Sequence, residues 1–517
     1  MMAEKVELVL HEGLVAGHPS SDSIAITHGR IVAHGPFNEL KALVGPRTHL
    51  LKLAGRAVVP GFIDSHIHFF EAASAATGVS VARARTIDDL LADLRLATGK
   101  APPGNWLRAF GCDEGLMAER RGPRCDELER AVPKNPLRLR HQTLHASWLN
   151  VRAIAQLGLD KPDFRPPAGA TLVRDSSGRL TGLVVGMEEW ITSRLPLVTK
   201  AETEARARIM SRELASAGVT AFTDATVKNG AAELEVFDAL VASGPIAQRA
   251  GVMLGAQEFE AALDSRRAPN GVRAAVAGVK FMPCATFDVR RAARLAALAR
   301  SRGLDCAFHA TEVEELEQAL SVIEGAPARD AQATNAPAWR IEHGGLIPPN
   351  FIPRIASTGA WVVTNPGFIY FRGAKYADDP GLVAHLYRAR SLKRAGIPLA
   401  GATDAPVTPS RPLVAIGAAV SRTTIDGVEL APDEKLTVEE ALALFTSDAA
   451  RLARLDAGAI EEGLLADLVI VPRDPLAVPA AELHNVAVDI TIIGGRIVYE
   501  RGRPAFAHSD SAELLTS

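Results

Sequence analysis

The chain has 517 residues but only four cysteines, Cys112, Cys125, Cys284 and Cys306. They form no CxxC pair and no regular set, which excludes a disulfide framework and a cysteine-built zinc module. Free thiols in a reducing compartment are expected. Charge of neither sign dominates: the formal net charge is −3. With no basic stripe, nothing asks for nucleic acid. No run approaches the ~18 apolar residues of a membrane span. The opening MMAEKVELVLHEG lacks an apolar core of signal-peptide length and a cleavage site. A cytoplasmic protein with no membrane attachment is therefore expected. No Walker loop or GxGxxG follows a strand and opens a helix, and no GxSxG elbow is present.

What is present is ordinary globular composition, 47% hydrophobic and 23% charged. The length exceeds one simple core, although an α/β barrel absorbs about 250 residues or more. Residues 1–58 and 456–517 read as short strands with turns, and both carry a GRIV stretch, at 29–32 and 495–498. Neither end makes a stable domain alone, so the two are expected to pair into one composite β-sandwich.

Between them, over 59–455, eight apolar β-type runs alternate with Ala/Leu/Arg-rich helical segments such as 291–302 and 312–323. That alternation predicts a parallel sheet and a (β/α)8 barrel. Segment 72–200 is too long for one βα loop and contains a ninth candidate strand, LRLRHQTLH at 137–145. It is assigned to an inserted subdomain near the barrel mouth.

Several of the eight runs end in a metal-binding side chain. GFIDSHIH supplies His66 and His68, GVKFMP Lys280, CAFHAT His309, RIEHGG His343 and GATDAP Asp404. Residues i and i+2 of a strand point the same way, so both early imidazoles face one side. The carboxyl ends of barrel strands share the face that carries chemistry. Imidazole and carboxylate suit Zn2+ and related divalent ions, which bring the pKa of bound water near neutrality. An aspartate beside that water can take its proton and pass it to a leaving amine. A lysine so near a dication loses its proton and, as a neutral amine, can capture CO2.

These stretches, with the C-terminal LLADLVIVPRDPL and VAVDITIIGGRIVY, resemble the amidohydrolase superfamily. More narrowly they are similar to its amidohydrolase-3, YtcJ-like branch, from residue 6 to 499. The resemblance implies a two-metal site. His66 and His68 join carboxylated Lys280 and Asp404 at one ion; Lys280, His309 and His343 hold the other; Asp404 is also the general base. If Lys280 is unmodified, one ion is expected. The chain departs from the branch after the lysine, with MPCAT in place of Asp-Gly, and after His309, with ATEVEE in place of Gly-Asp-Arg.

His145 resembles a substrate-side histidine of the branch and is a candidate oxyanion partner. Asn365, Tyr370 and Arg372 follow the seventh run and are substrate-contact candidates. Asp64 either orients a ligand or caps a turn, and is carried with the substrate-side set. The reading is hydrolysis of a C–N bond in an amide, N-formyl or N-acyl small molecule. Its alternatives are deamination of a heterocyclic amine, ester hydrolysis, and a barrel kept as an assembly module without turnover. Relatives of this kind are often dimers or tetramers, so a homo-oligomer is implied, with no interface signal to choose its size.

Overall fold

A computed structural model describes residues 5–99, 101–265, 274–326 and 336–503. Packing divides the chain into two compact units, Met1–His68 with Ser211–Ser517, and Phe69–Met210.

The first unit is built on eight parallel strands paired in chain order: Phe62–Ile67, Val219–Asp224, Arg249–Gly255, Ala275–Phe281, Asp305–Ala310, Trp339–His343, Trp361–Thr364 and Leu399–Gly401. They are numbered here as barrel strands one to eight. Strands one, two, six, seven and eight are buried along their whole length. That is why WVVT reads as a continuous apolar run: helices cover one face and the barrel interior the other. The crossover helices carry the matching stripe. In Val289–Ser301 the buried positions are Ala292, Leu295, Ala296 and Ala299, and the Asp288 side chain caps the start by accepting from the Arg291 amide.

The sheet comes nearly full circle. The Asp404 amide donates to the His66 carbonyl at 2.9 Å, and the His68 amide donates to the Ala405 carbonyl at 2.8 Å. Strand eight has only three residues. Loop hydrogen bonds, rather than a strand ladder, therefore join the first and last edges. The same two bonds set His66, His68 and Asp404 side by side.

Both chain ends build the sheets beside the barrel. One sheet orders Arg30–Gly35, Ser23–Thr27, Leu8–His11 and His49–Lys52; the other orders Leu14–Val15, Ala57–Pro60, Leu468–Val471, Ile490–Ile493 and Arg496–Glu500. Leu8, Leu10, Ile24 and Ile26 from the first sheet pack with Val58, Leu468, Ile470 and Ile492 from the second, which is the core of a β-sandwich. Ala57–Pro60 runs through Gly61 straight into barrel strand one. A Cβ on Gly61 would lie 2.4 Å from the Thr220 side chain, so only glycine passes there.

Arg249 on barrel strand three fixes the joint. It donates from Nε and Nη2 to the buried Asp467 carboxylate at 2.7 and 3.1 Å, and the Gly494 amide donates to the same carboxylate at 2.7 Å. Replacing the guanidinium leaves a buried anion with one remaining donor. Arg249→Leu is expected to cost about 3 kcal/mol, read as a lower denaturant midpoint at unchanged slope; a cost below about 1 kcal/mol would place the pair among ordinary surface bridges.

The second unit holds a six-stranded sheet ordered Thr171–Arg174, Leu180–Val185, Ala146–Leu149, Leu137–His141, Leu107–Cys112 and Val79–Ser80. The ninth candidate strand is thus a strand, but of this sheet and not of the barrel. Among the described residues no helix is long and apolar enough to cross a membrane. All four cysteines are free.

Candidate metal centre

Barrel strand one delivers His66 within its length and His68 one residue past its end. The loop after strand eight delivers Asp404. The ligand atoms of His66, His68 and Asp404 all lie within 4.8 Å of one another. His68 Nε2 is 3.1 Å and His66 Nε2 3.7 Å from Asp404 Oδ1. At the ends of strands five and six, His309 Nδ1 and His343 Nε2 are 3.0 Å apart. Two donors on one tetrahedral ion at about 2.0–2.1 Å are separated by roughly 3.3 Å. Both groups match that span before any ion is considered. The rings form a continuous row, His66 lying 5.3 Å from His68 and 4.8 Å from His343, and His343 lying 4.6 Å from His309.

The backbone at this row is unusual. His343 has φ 69° and Asp404 φ 58°. Left-handed conformations cost a non-glycine residue about 1–3 kcal/mol and cluster at functional sites.

Hydrogen bonds decide which ring nitrogen is bare. Arg340 donates from Nε to Glu342 at 2.7 Å and from Nη2 to the Ser65 carbonyl at 2.8 Å. Burial alone would raise the Glu342 carboxyl, but Arg340 and His66 hold it well below its ordinary range. Glu342 is therefore an anion that accepts from His66 Nδ1 at 2.5 Å. Burial, reinforced by Lys280, keeps His66 well below its usual pKa and so neutral. Its proton sits on Nδ1 and its Nε2 lone pair faces Asp404. Asn365 donates from Nδ2 to the Ala402 carbonyl at 3.2 Å, which turns its Oδ1 to accept from His343 Nδ1 at 3.0 Å. His343 Nε2 is thereby left without the proton, facing His309 Nδ1. His68 Nδ1 is held by Thr226 Oγ1 at 3.0 Å. Partners of this kind fix the orientation of metal-binding imidazoles.

Lys280 is the penultimate residue of strand four, 1% exposed. Neither its Nζ nor Asp404 Oδ1 has a hydrogen-bond partner among the described residues. Burial lowers the lysine to about 8. Burial pushes the Asp404 carboxyl up, but the imidazoles around it, His68 first, hold it well below the usual carboxylate range. Two orphaned buried polar atoms among four imidazoles are unfavourable as they stand. A divalent ion bound by Asp404 would satisfy one, and an oxygen ligand built on Lys280 would satisfy the other. The residues fit the group.

Residues 51–499 match the family described as the amidohydrolase family. The chain belongs to that family. This amidohydrolase is 26% identical over 531 residues to the N-substituted formamide deformylase of Arthrobacter pascens, covering 94% of this chain and 96% of the relative. It is 25% identical over 533 residues to YtcJ of Bacillus subtilis (strain 168), covering 93% and 96%. An uncharacterized metal-dependent hydrolase from Pyrococcus horikoshii OT3 shares its fold, with a TM-score of 0.71 at 22% identity over 92% of this chain and 99% of that one. The resemblance to the YtcJ-like branch holds, and with it the barrel. The amidohydrolase is a hydrolase of C–N bonds.

Other residues singled out from the sequence occupy different places in the amidohydrolase. Asp64 is 0% exposed; its carboxylate accepts from the Thr403 amide at 3.0 Å and the Thr403 hydroxyl at 2.5 Å. It ties strand one to the loop of Asp404, and burial raises its pKa to about 7. Asn365 is likewise fully buried. Asp64 thus holds Thr403, and Asn365 holds His343. Tyr370 is half-buried with its ring 5.4 Å from His484, and Arg372 is buried with its guanidinium 5.8 Å from the Phe368 ring. His145 is exposed in the second unit.

Sequence reasoning passed over Glu342, Arg340, Thr226 and Thr403. Glu342 and Arg340 left a signal: two charged residues at i and i+2 in a strand otherwise apolar, next to a candidate ligand. Glu342→Gln keeps the shape and removes the anion. It is expected to weaken divalent-ion affinity about 10–100-fold, measured by competition with a chromophoric chelator. Unchanged affinity would mean that Glu342 serves only Arg340.

Proposed function

We propose that this amidohydrolase cleaves the C–N bond of a small amide, N-formyl or N-acyl compound at a centre of two divalent ions. His66, His68, Asp404 and Lys280 would hold one ion; His309, His343 and Lys280 the other. Three or four nitrogen and oxygen donors per ion favour Zn2+. The observation that carries the reading is the convergence of bare ring nitrogens on Asp404 and a partnerless buried lysine.

An ion held there supplies two effects, acidifying bound water and polarising a substrate carbonyl. The chain supplies the rest. Asp404 is ionised at neutral pH and accepts the proton of the attacking water. It then gives that proton to the departing nitrogen, since an amine leaves far more readily than an amide anion. Its left-handed backbone aims the carboxylate at the row of imidazoles, and the Asp64–Thr403 pair holds the loop that carries it. Lys280 as a neutral amine adds CO2, releasing one proton, and becomes a carbamate whose anionic oxygens suit two ions. The Tyr370–Arg372 segment is proposed to face the substrate.

The test is a panel of N-formyl amines, N-acetyl amines, esters and amino-heterocycles, assayed before and after chelation, with elemental analysis of the protein. The expected result is release of acid and amine in equal amounts, lost on chelation and restored by Zn2+. Ammonia without acid would establish the deaminase instead. Turnover that survives chelation with no bound ion would overturn the reading.

A further inference from the structure

We propose that the sandwich carries a separate metal site, formed by His18, His34 and Glu461, that takes a divalent transition ion such as Zn2+. His18 Nε2 lies 3.7 Å from Glu461 Oε1, and His34 Nε2 lies 3.9 Å from Glu461 Oε2. The three ligand atoms all fall within 4.8 Å of one another. Those spans are slightly wider than the roughly 3.3 Å edge of a tetrahedral zinc site. An ion there would draw the glutamate and both rings inward.

The backbone brings the three together independently of their side chains. The Ile31 amide donates to the Leu464 carbonyl at 2.9 Å, and the Gly463 amide donates to the Ile31 carbonyl at 2.8 Å. Arg30 adds a 2.6 Å bond to the Gly463 carbonyl. This lays the segment around Glu461 along Arg30–Gly35, the strand that carries His34. His18 sits in the turn after Leu14–Val15, where its carbonyl accepts from the Ser21 amide at 2.9 Å. The Ser21 hydroxyl holds His34 Nδ1 at 3.1 Å, leaving Nε2 toward the glutamate in the manner of a metal-binding histidine.

The two rings are 4.1 Å apart, centre to centre. Two imidazoles with a carboxylate form the three-ligand set of an open zinc site. The side chains are 22%, 19% and 58% exposed for His18, His34 and Glu461, so water completes the coordination. The ligands come from the two terminal segments that build the sandwich. An ion there clips those segments together and stabilises the fold by mass action.

The experiment strips the full chain with chelator, dialyses it against Zn2+ and counts bound zinc by elemental analysis. His34→Ala and Glu461→Gln run in parallel. Each variant is expected to hold one equivalent fewer than the wild type and to keep wild-type turnover. The zinc-induced rise in Tm is expected to be smaller in both. Equal zinc in wild type and variants overturns the proposal. Loss of turnover together with the missing equivalent also overturns it, because the ion removed then came from the barrel. If His34→Ala fails to fold, the exposed Glu461→Gln decides. The comparison is a difference, so it stands whatever the barrel centre holds.

Discussion

Asp404→Asn is expected to leave a folded protein whose turnover falls about 10³-fold, the scale of losing a positioned general acid–base group. The choice of asparagine matters. Asp404 sits at φ 58°, a conformation that asparagine tolerates and alanine does not. Asparagine is also nearly isosteric, so the loop held by Asp64 and Thr403 should keep its shape. The variant therefore separates two roles. An aspartate that only caps a turn is replaced by asparagine almost without cost, and activity would persist. An aspartate that accepts and returns a proton is not replaced at all. The decisive measurement is kcat with metal content and Tm taken on the same preparation. Wild-type kcat in Asp404→Asn would remove Asp404 from the chemistry and leave the two-ion reading without its base.

Some of this was legible from the chain because it is local. His66 and His68 share one face of one strand, and an imidazole or carboxylate at the end of an apolar run needs no partner to be noticed. The barrel was legible for the same reason, since apolar runs alternate with helical segments such as Val289–Ser301, whose buried positions form one stripe. The braces were not. Glu342 acts on His66 across 276 residues, and nothing near Glu342 in the sequence says which ring it meets. Asp64 and Asn365 have side chains equally suited to touching substrate or touching a neighbour. Burial bears on that choice, and burial is a property of the folded sheet. The strand at 137–141 shows the same limit in another form. Its β-pattern is readable, but it pairs in parallel with Leu107–Cys112 and antiparallel with Ala146–Leu149, a choice set by partners in its own unit.

Lys280→Ala is expected to remove turnover and at least one equivalent of bound metal, with a loss beyond the about 10–100-fold that an outer brace costs. The lysine is buried without a hydrogen-bond partner among the described residues, which an unmodified ammonium tolerates poorly. A carbamate would replace that stranded cation with an anionic oxygen pair. In Lys280→Ala the vacated side-chain volume can admit a short carboxylate, so propionate or acetate should restore part of the activity; formamide, neutral and of similar size, should not. The pH dependence follows from the amine. Only neutral lysine adds CO2, and burial brings its pKa from 10.5 to about 8. Below about 8 the neutral fraction, and hence reactivation of stripped enzyme at fixed dissolved CO2, falls about tenfold per pH unit. Above it the rate levels off. A rate still climbing toward 10.5 would describe an ordinary exposed lysine. Reactivation by metal alone, indifferent to CO2 at every pH, would leave Lys280 an unmodified amine and the centre with a single ion.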